Sequence, residues 1–286
     1  MKIKFWGVRG SIPVSDKKVI KYGGNTTCVE ILTDDNHTII IDAGTGLRSL
    51  GNNLLTGDFG KGKGKASFLF THTHWDHIQG FPFFVPFFIG KKESDNNKIK
   101  GMCNEFHFYG EKKGWRTLER ILSDQMKSPY FPVTLKDMNA IFNFSNITEN
   151  DEFYIGDTKI TCKFLRHPDS ALGYRIECNG KIYAHVCDTE HPEAGIDSNV
   201  LELAKGSDIF VYDSQFTPEE YPKFKNWGHS TWQEGIKISQ KIGADKLYLF
   251  HHAPSHDDDF MDIVIEEASS HFKETHAAMD GLEINI

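Results

Sequence analysis

The chain has 286 residues, of which 39% are hydrophobic and 13% aromatic, enough apolar material for a full core with 22 phenylalanines in it. Its formal net charge of −8 argues against a broad polyanion-binding surface, because a long nucleic acid needs many Lys and Arg contacts to displace its counterions. The five cysteines (Cys28, Cys103, Cys162, Cys178, Cys187) have no C-x-x-C spacing, and no signal region or apolar stretch of about 18 residues is present, so the expectation is a cytoplasmic protein with no membrane partner.

In chain order, short strands are expected at 2–6, 28–32, 38–42 and 67–70, separated by turn residues such as Gly23-Gly24-Asn25. A helix is read at 45–54 from Leu47, Leu50 and Leu54, and residues 57–65 read as a solvated Gly/Lys linker. The strand at 67–70 runs into Thr71-His72-Thr73-His74-Trp75-Asp76-His77, the densest concentration of metal-binding side chains in the chain. His72 and His74 alternate by two and share one face of an extended segment. Asp76 and His77 would open the next helix and swing toward a second ion about 3.5–4 Å from the first. Neutral imidazoles with a carboxylate suit Zn, and also Fe or Mn.

The apolar run 81–89 reads as a packing surface, with a homodimer contact its expected use, and 91–100 as a polar connector. A helix at 115–126 leads to an aromatic loop at 127–136 expected over the site. Strands follow at 152–155, 159–164, 172–177, 181–187, 208–212 and 246–250, with helices at 231–242 and 258–273. His167, Asp188 and His251 each sit where one of these strands stops, so all can converge on one sheet edge; His251 is preferred over His252 on register. Candidate ligands therefore span Asp42 to His251, and dividing the chain would split the site. One domain over 1–286 is expected.

The run His72-x-His74-x-Asp76-His77 resembles that of the metallo-β-lactamase superfamily, as do Asp42 before Ala43-Gly44-Thr45-Gly46, His167, Asp188 and His251. Phe5–Pro13, Gly80-Phe81-Pro82-Phe83-Phe84 and Gly228-His229-Ser230-Thr231 resemble its ribonuclease-Z-related phosphodiesterase branch. The resemblance implies a four-layer αββα sandwich of α/β class. It also implies one ion held by His72, His74 and His167, a second by Asp76, His77 and His251, and Asp188 between them. A hydroxide bridging the two ions is the implied nucleophile. His229 is the implied proton donor to the leaving oxygen, Asp76 the other catalytic group, and Asp42 the partner of a ligating imidazole. Arg9, Ser11, Asn25 and Ser170 are candidates for phosphate contact, and Glu190 and His191 for a relay or the rim. The expected substrate is a small phosphodiester such as a cyclic nucleotide, with no long nucleic acid. The alternative is a diiron dioxygen sensor on the same fold, shielded by Phe83, Phe84, Phe87 and Phe88.

Overall fold

Strand alternation decides the layers. In Thr38–Ile41 every residue is buried, and the period of two sends Ile39 and Ile41 to one face and Ile40 to the other. A strand buried on both faces belongs in the middle of a sheet with a layer on each side. The computed structural model describes residues 1–90 and 102–286, together with the backbone of Glu93–Asp95 and Lys98–Lys100; the polar connector expected at 91–100 otherwise lies outside the described residues.

The chain forms β1 (Lys2–Gly7), β2 (Cys28–Leu32), β3 (Thr38–Ile41), β4 (Lys65–Leu69), β5 (Glu93–Asp95), β6 (Lys98–Lys100), β7 (Glu105–Glu111) and β8 (Ile141–Ile147). The later strands are β9 (Glu152–Ile155), β10 (Thr158–Leu165), β11 (Ala171–Cys178), β12 (Lys181–Val186), β13 (Ile209–Asp213), β14 (Lys246–Phe250), β15 (Thr275–Ala277) and β16 (Glu283–Asn285). Helices are α1 (Gly46–Leu54), α2 (Trp75–Ile78), α3 (Leu118–Gln125), α4 (Ser198–Ala204), α5 (Trp232–Ile242) and α6 (Asp258–His271). One seven-stranded sheet has the order β16-β1-β2-β3-β4-β7-β8, and the other β9-β10-β11-β12-β13-β14-β15. Each sheet begins with antiparallel joins, through β3 or β12, and continues with parallel ones. Parallel neighbours need crossovers, which α1, α3, α4, α5 and α6 supply. The carboxyl ends of the parallel strands are the edge where α/β sheets gather their ligands.

The two sheets face each other through Phe5, Ile31, Ile39 and Ile41 on one side and Ile160, Tyr174, Val211 and Phe250 on the other. Helices α4, α5 and α6 cover the outer face of the second sheet with Leu203, Trp232, Ile236, Val264 and Ala268. Leu47 and Leu50 of α1 and Leu118 and Leu122 of α3 cover the first. The result is the expected αββα sandwich.

The aromatic run packs, as expected, but into the core of its own chain. Phe81, Phe84 and Phe87 are fully buried, against Phe68, Phe106 and Phe108. The reason is a local period of three: the run forms two 3-10 turns, Phe81–Phe83 and Val85–Phe88, which bring every third ring onto one side. Each buried ring contributes about 1.5–3 kcal/mol of apolar burial. These rings complete the core of one chain. Within the run only Phe83 is strongly exposed.

Candidate metal centre

The first half of the site is built at the end of β4. Beyond Leu69 the chain stays extended, and the Thr71 N–H and hydroxyl each donate to Asp42 at 2.8 Å. Asp42 also takes the Nδ1–H of His77 at 2.7 Å, fixing that ring so that Nε2 faces outward. The Thr71 hydroxyl lies 3.2 Å from Nδ1 of His72, which likewise turns its Nε2 toward the centre. His74 stands at the N-cap of the one-turn α2, with extended backbone, and the turn swings Asp76 and His77 back toward the centre. Asp76 Oδ2 accepts the Ser11 N–H at 2.7 Å and lies 3.2 Å from Nε2 of His251.

The second half supplies single residues from separate strand ends. Asp188 points one oxygen each way. Its Oδ1 lies 3.2 Å from Nε2 of His77 and 3.3 Å from Nε2 of His251, and its Oδ2 3.7 Å from His72 and 3.6 Å from His167. The potential ligand atoms of His72, His74 and His167 lie within 4.8 Å of one another, as do those of Asp76, His77 and His251. Nε2 of His72 and of His77 are buried without a protein hydrogen-bond partner. Such atoms are costly to bury unless something else satisfies them, and imidazoles with carboxylates match a divalent ion. Burial holds the His72 ring well below the usual imidazole range and pushes His167 down to about 4, whereas at His77 burial is outweighed by Asp188, Asp76 and Asp42, which raise it well above that range. The residues fit the group.

Beside this cluster stands a pair the sequence reading caught only by half. A ring nitrogen of His229 comes within 4.8 Å of potential ligand atoms on His167 and Asp188, and its Nδ1 is 2.8 Å from Asp213 Oδ2. Burial opposes charging of this imidazole, but Asp213, bonded to it, outweighs burial with help from Asp188 and Asp76, and raises it to about 9. Asp213 was missed. It closes β13, so the rule that found Asp188 and His251 at strand ends would have found it too.

Glu190 and His191 support the loop that carries His229. Glu190 accepts from the Tyr221 hydroxyl, the Asn226 N–H and the Gly228 N–H at 2.8, 2.9 and 3.1 Å, and His191 lies 2.8 Å from the Ser230 hydroxyl. Gly228 (φ +87°) is needed there, because a Cβ would come 2.4 Å from the His167 ring.

Other readings sort cleanly. His251 enters the cluster, whereas His252 bonds the Ala278 carbonyl at 2.9 Å and burial pushes it down to about 3. His185 is a buried core histidine held by the Tyr183 hydroxyl at 2.9 Å. Cys187 is buried, its thiol 2.8 Å from Asp188 Oδ1. Arg9 is corrected: it is fully buried, donating to the carbonyls of Gly23, Ala253 and His256, so it has no reach to a phosphate. Asn25 is likewise engaged, with Asp280 at 2.9 Å. Ser11 lends its backbone to Asp76, and Ser170 bonds Glu111 at 2.7 Å on the rim of the centre.

Known proteins resemble this arrangement along its whole length. The family described as "Beta-lactamase superfamily domain" matches residues 37–252. Ribonuclease Z of Oceanobacillus iheyensis is 23% identical over 98% of this chain and 98% of its own. Among solved structures, the short form of human tRNase Z superposes with a TM-score of 0.67 at 16% identity, covering 100% of this chain and 99% of that one. Zn²⁺-bound PqqB from Methylobacterium extorquens gives 0.67 at 13% identity over 100% of both chains. The relatives named for ribonuclease activity overturn the expectation, drawn from net charge, that no long nucleic acid is a partner. A charge of −8 is a sum over the chain, whereas binding responds to the potential at one site. No helix among the described residues is long and apolar enough to cross a membrane.

Proposed function

The chain belongs to the β-lactamase superfamily and is a metal-dependent hydrolase, and from that footing we propose that its substrates are phosphodiesters. The observation that carries this reading is the His229–Asp213 pair beside the ligand cluster. Cleaving a phosphodiester expels an alkoxide, a poor leaving group unless it is protonated as it departs. An imidazole raised to about 9 is charged at neutral pH and has such a proton to give. Asp213 holds Nδ1, so the other nitrogen is the one that donates. The relatives named ribonuclease Z support the same reading.

His72, His74 and His167 would hold one ion, Asp76, His77 and His251 the other, and Asp188 would contact both through its two oxygens. Zinc suits this donor set best, with iron or manganese as the other ions it accommodates. When bound, such ions acidify water and offset the charge that grows on the phosphate oxygens. Asp42 and Thr71 keep the His77 and His72 rings oriented. Asp76 is held in place by the Ser11 N–H, and with His229 makes up the catalytic pair.

The test is a substrate panel on protein loaded with zinc or manganese. Bis(p-nitrophenyl) phosphate should be turned over with kcat/KM at least tenfold above that for a chromogenic lactam or a glutathione thioester. A preference for either of the latter would replace the phosphodiester reading.

A further inference from the structure

Tryptophan is highly buried on average, so clustered exposed indoles carry information. Of the five tryptophans, Trp75, Trp115 and Trp227 are 80%, 72% and 61% exposed. All three adjoin, along the chain, residues of the candidate metal centre or of the cavities beside it. Trp75 separates His74 from Asp76, and Trp227 lies two residues before His229, next to the Gly228 that packs on His167. Trp115 sits in the turn between β7 and α3, because α3 starts only at the Thr117 cap. Its neighbour Arg116 lies 5.2 Å from the Trp115 ring centroid. None of the three rings fills a gap in a core cluster.

Two open cavities lead away from the centre. One, of about 470 Å³, is lined by His72, His74, Lys113 and Arg116. The other, of about 750 Å³, is lined by Arg166, His167, Tyr221 and Lys225. The His167 ring is 4.8 Å from that of His72 and 4.9 Å from that of His74, so a chain occupying both cavities must pass over the centre. Each cavity falls in the size range of small-molecule sites, roughly 300–1,000 Å³.

Resting on the phosphodiester reading, we propose that this mouth is a stacking platform for a single-stranded nucleic acid laid across the centre. Trp75 and Trp115 stack bases on one side of the cleaved bond and Trp227 on the other, while Arg116, Arg166 and Lys225 hold the flanking phosphates; the Lys113 ammonium is already taken by Glu111, Asp169 and Ser170. Unpaired bases offer open π-faces, whereas a duplex keeps its bases stacked internally. Asp169 and Glu193 line the same cavities and oppose a bare polyanion, so stacking rather than charge carries the affinity. A shallow salt dependence follows.

Binding of a labelled ten-nucleotide RNA is read by fluorescence anisotropy on full-length, metal-loaded protein in a His229→Ala background, which slows cleavage. The single strand should bind at least tenfold tighter than the same sequence as a duplex and should quench tryptophan emission. Trp115→Ala and Trp227→Ala should each weaken binding roughly tenfold, the scale of losing one stacked base. Trp115→Phe should recover most of that loss, which a change in folding would not do. In the cleaving protein, Trp115→Ala should raise KM far more than it lowers kcat. Unchanged affinity in both alanine variants, or a duplex bound as tightly as the single strand, overturns the proposal. Bis(p-nitrophenyl) phosphate separates the two readings: its hydrolysis without RNA binding removes only the platform, and tryptophan-dependent RNA binding without any phosphodiester cleavage removes only the activity.

Discussion

Asp42 follows β3 and Asp188 follows β12, matching strands in two sheets that share one sequence of antiparallel and parallel joins. Both residues take left-handed backbone, with φ of 60° and 56°, a conformation that costs free energy in a residue with a Cβ. Their carboxylates do opposite things. Asp42 turns back under the sheet edge to hold Thr71 and His77, while Asp188 reaches forward between four imidazoles. The same backbone device thus yields a residue that orients ligands in one half and a residue at the middle of the cluster in the other. The halves also differ in how they are written. The first packs its donors into one run from His72 to His77, and the second spreads them over His167, Asp188, Asp213, His229 and His251.

The comparison breaks most visibly at Asp188. Asp188→Ala should cost both ions and at least ~10⁴-fold in turnover, the scale of removing a group on which a whole assembly depends. Elemental analysis alongside the rate checks it, and retention of both ions would take Asp188 out of the centre.

Next in size is His229→Ala, which should keep its metals and lose roughly 10²–10⁴-fold in rate on an alkyl phosphodiester. The loss should shrink with a nitrophenolate leaving group, which needs no proton; equal losses would make His229 a binding residue instead. Its pH dependence has a definite sign. An imidazole raised to about 9 is charged below that value, so turnover of the alkyl ester should hold from neutrality and fall as pH rises through about 9. Any stability drawn from the His229–Asp213 pair follows the same course, complete below the ordinary imidazole value near 6.5 and lost through about 9. Asp213→Asn should move this alkaline limb to lower pH; a limb that stays put would deny Asp213 its role.

Asp42→Asn is the milder counterpart of Asp188→Ala. It removes the charge behind His77 without removing a proposed ligand, and metal affinity should drop by about 10–100-fold. Competition with a chelator measures it, and an affinity as low as that of Asp188→Ala would erase the distinction between the two aspartates. The smallest effect belongs to Glu190→Ala, which should cost about 1–3 kcal/mol in urea unfolding, since three donors around the His229 loop lose their acceptor. No loss at all would show that the loop holds without it.

The same contrast explains what could be read from the sequence. The run from His72 to His77 is legible because its residue types are rare and its spacing is tight, and β2, β9 and β14 because turn residues flank them. Asp213 closes a strand, the same placement that marked Asp188 and His251, but its task shows only in space, beside His229. Strands β7 and β8 went unread. Phe106 and Phe108, and Phe142 and Phe144, do alternate, but Asn104, Asn143 and Asn146 look like turn residues around and within them. Asn104 in fact bonds inward, to the carbonyls of Phe59 and Pro86. Helix α4, with seven residues, is too short to show a period, and β15 and β16 owe their existence to neighbours already in place. The aromatic run was legible as packing but not as an element, because its period of three belongs to neither helix nor strand.

Adding zinc stepwise to metal-free protein, while recording bound metal and hydrolysis of bis(p-nitrophenyl) phosphate together, tests the account most directly. Activity should climb with occupancy and level off at two ions per chain, and excess chelator should abolish it. Full activity at one ion per chain, or two bound ions with no phosphodiester hydrolysis, would contradict it.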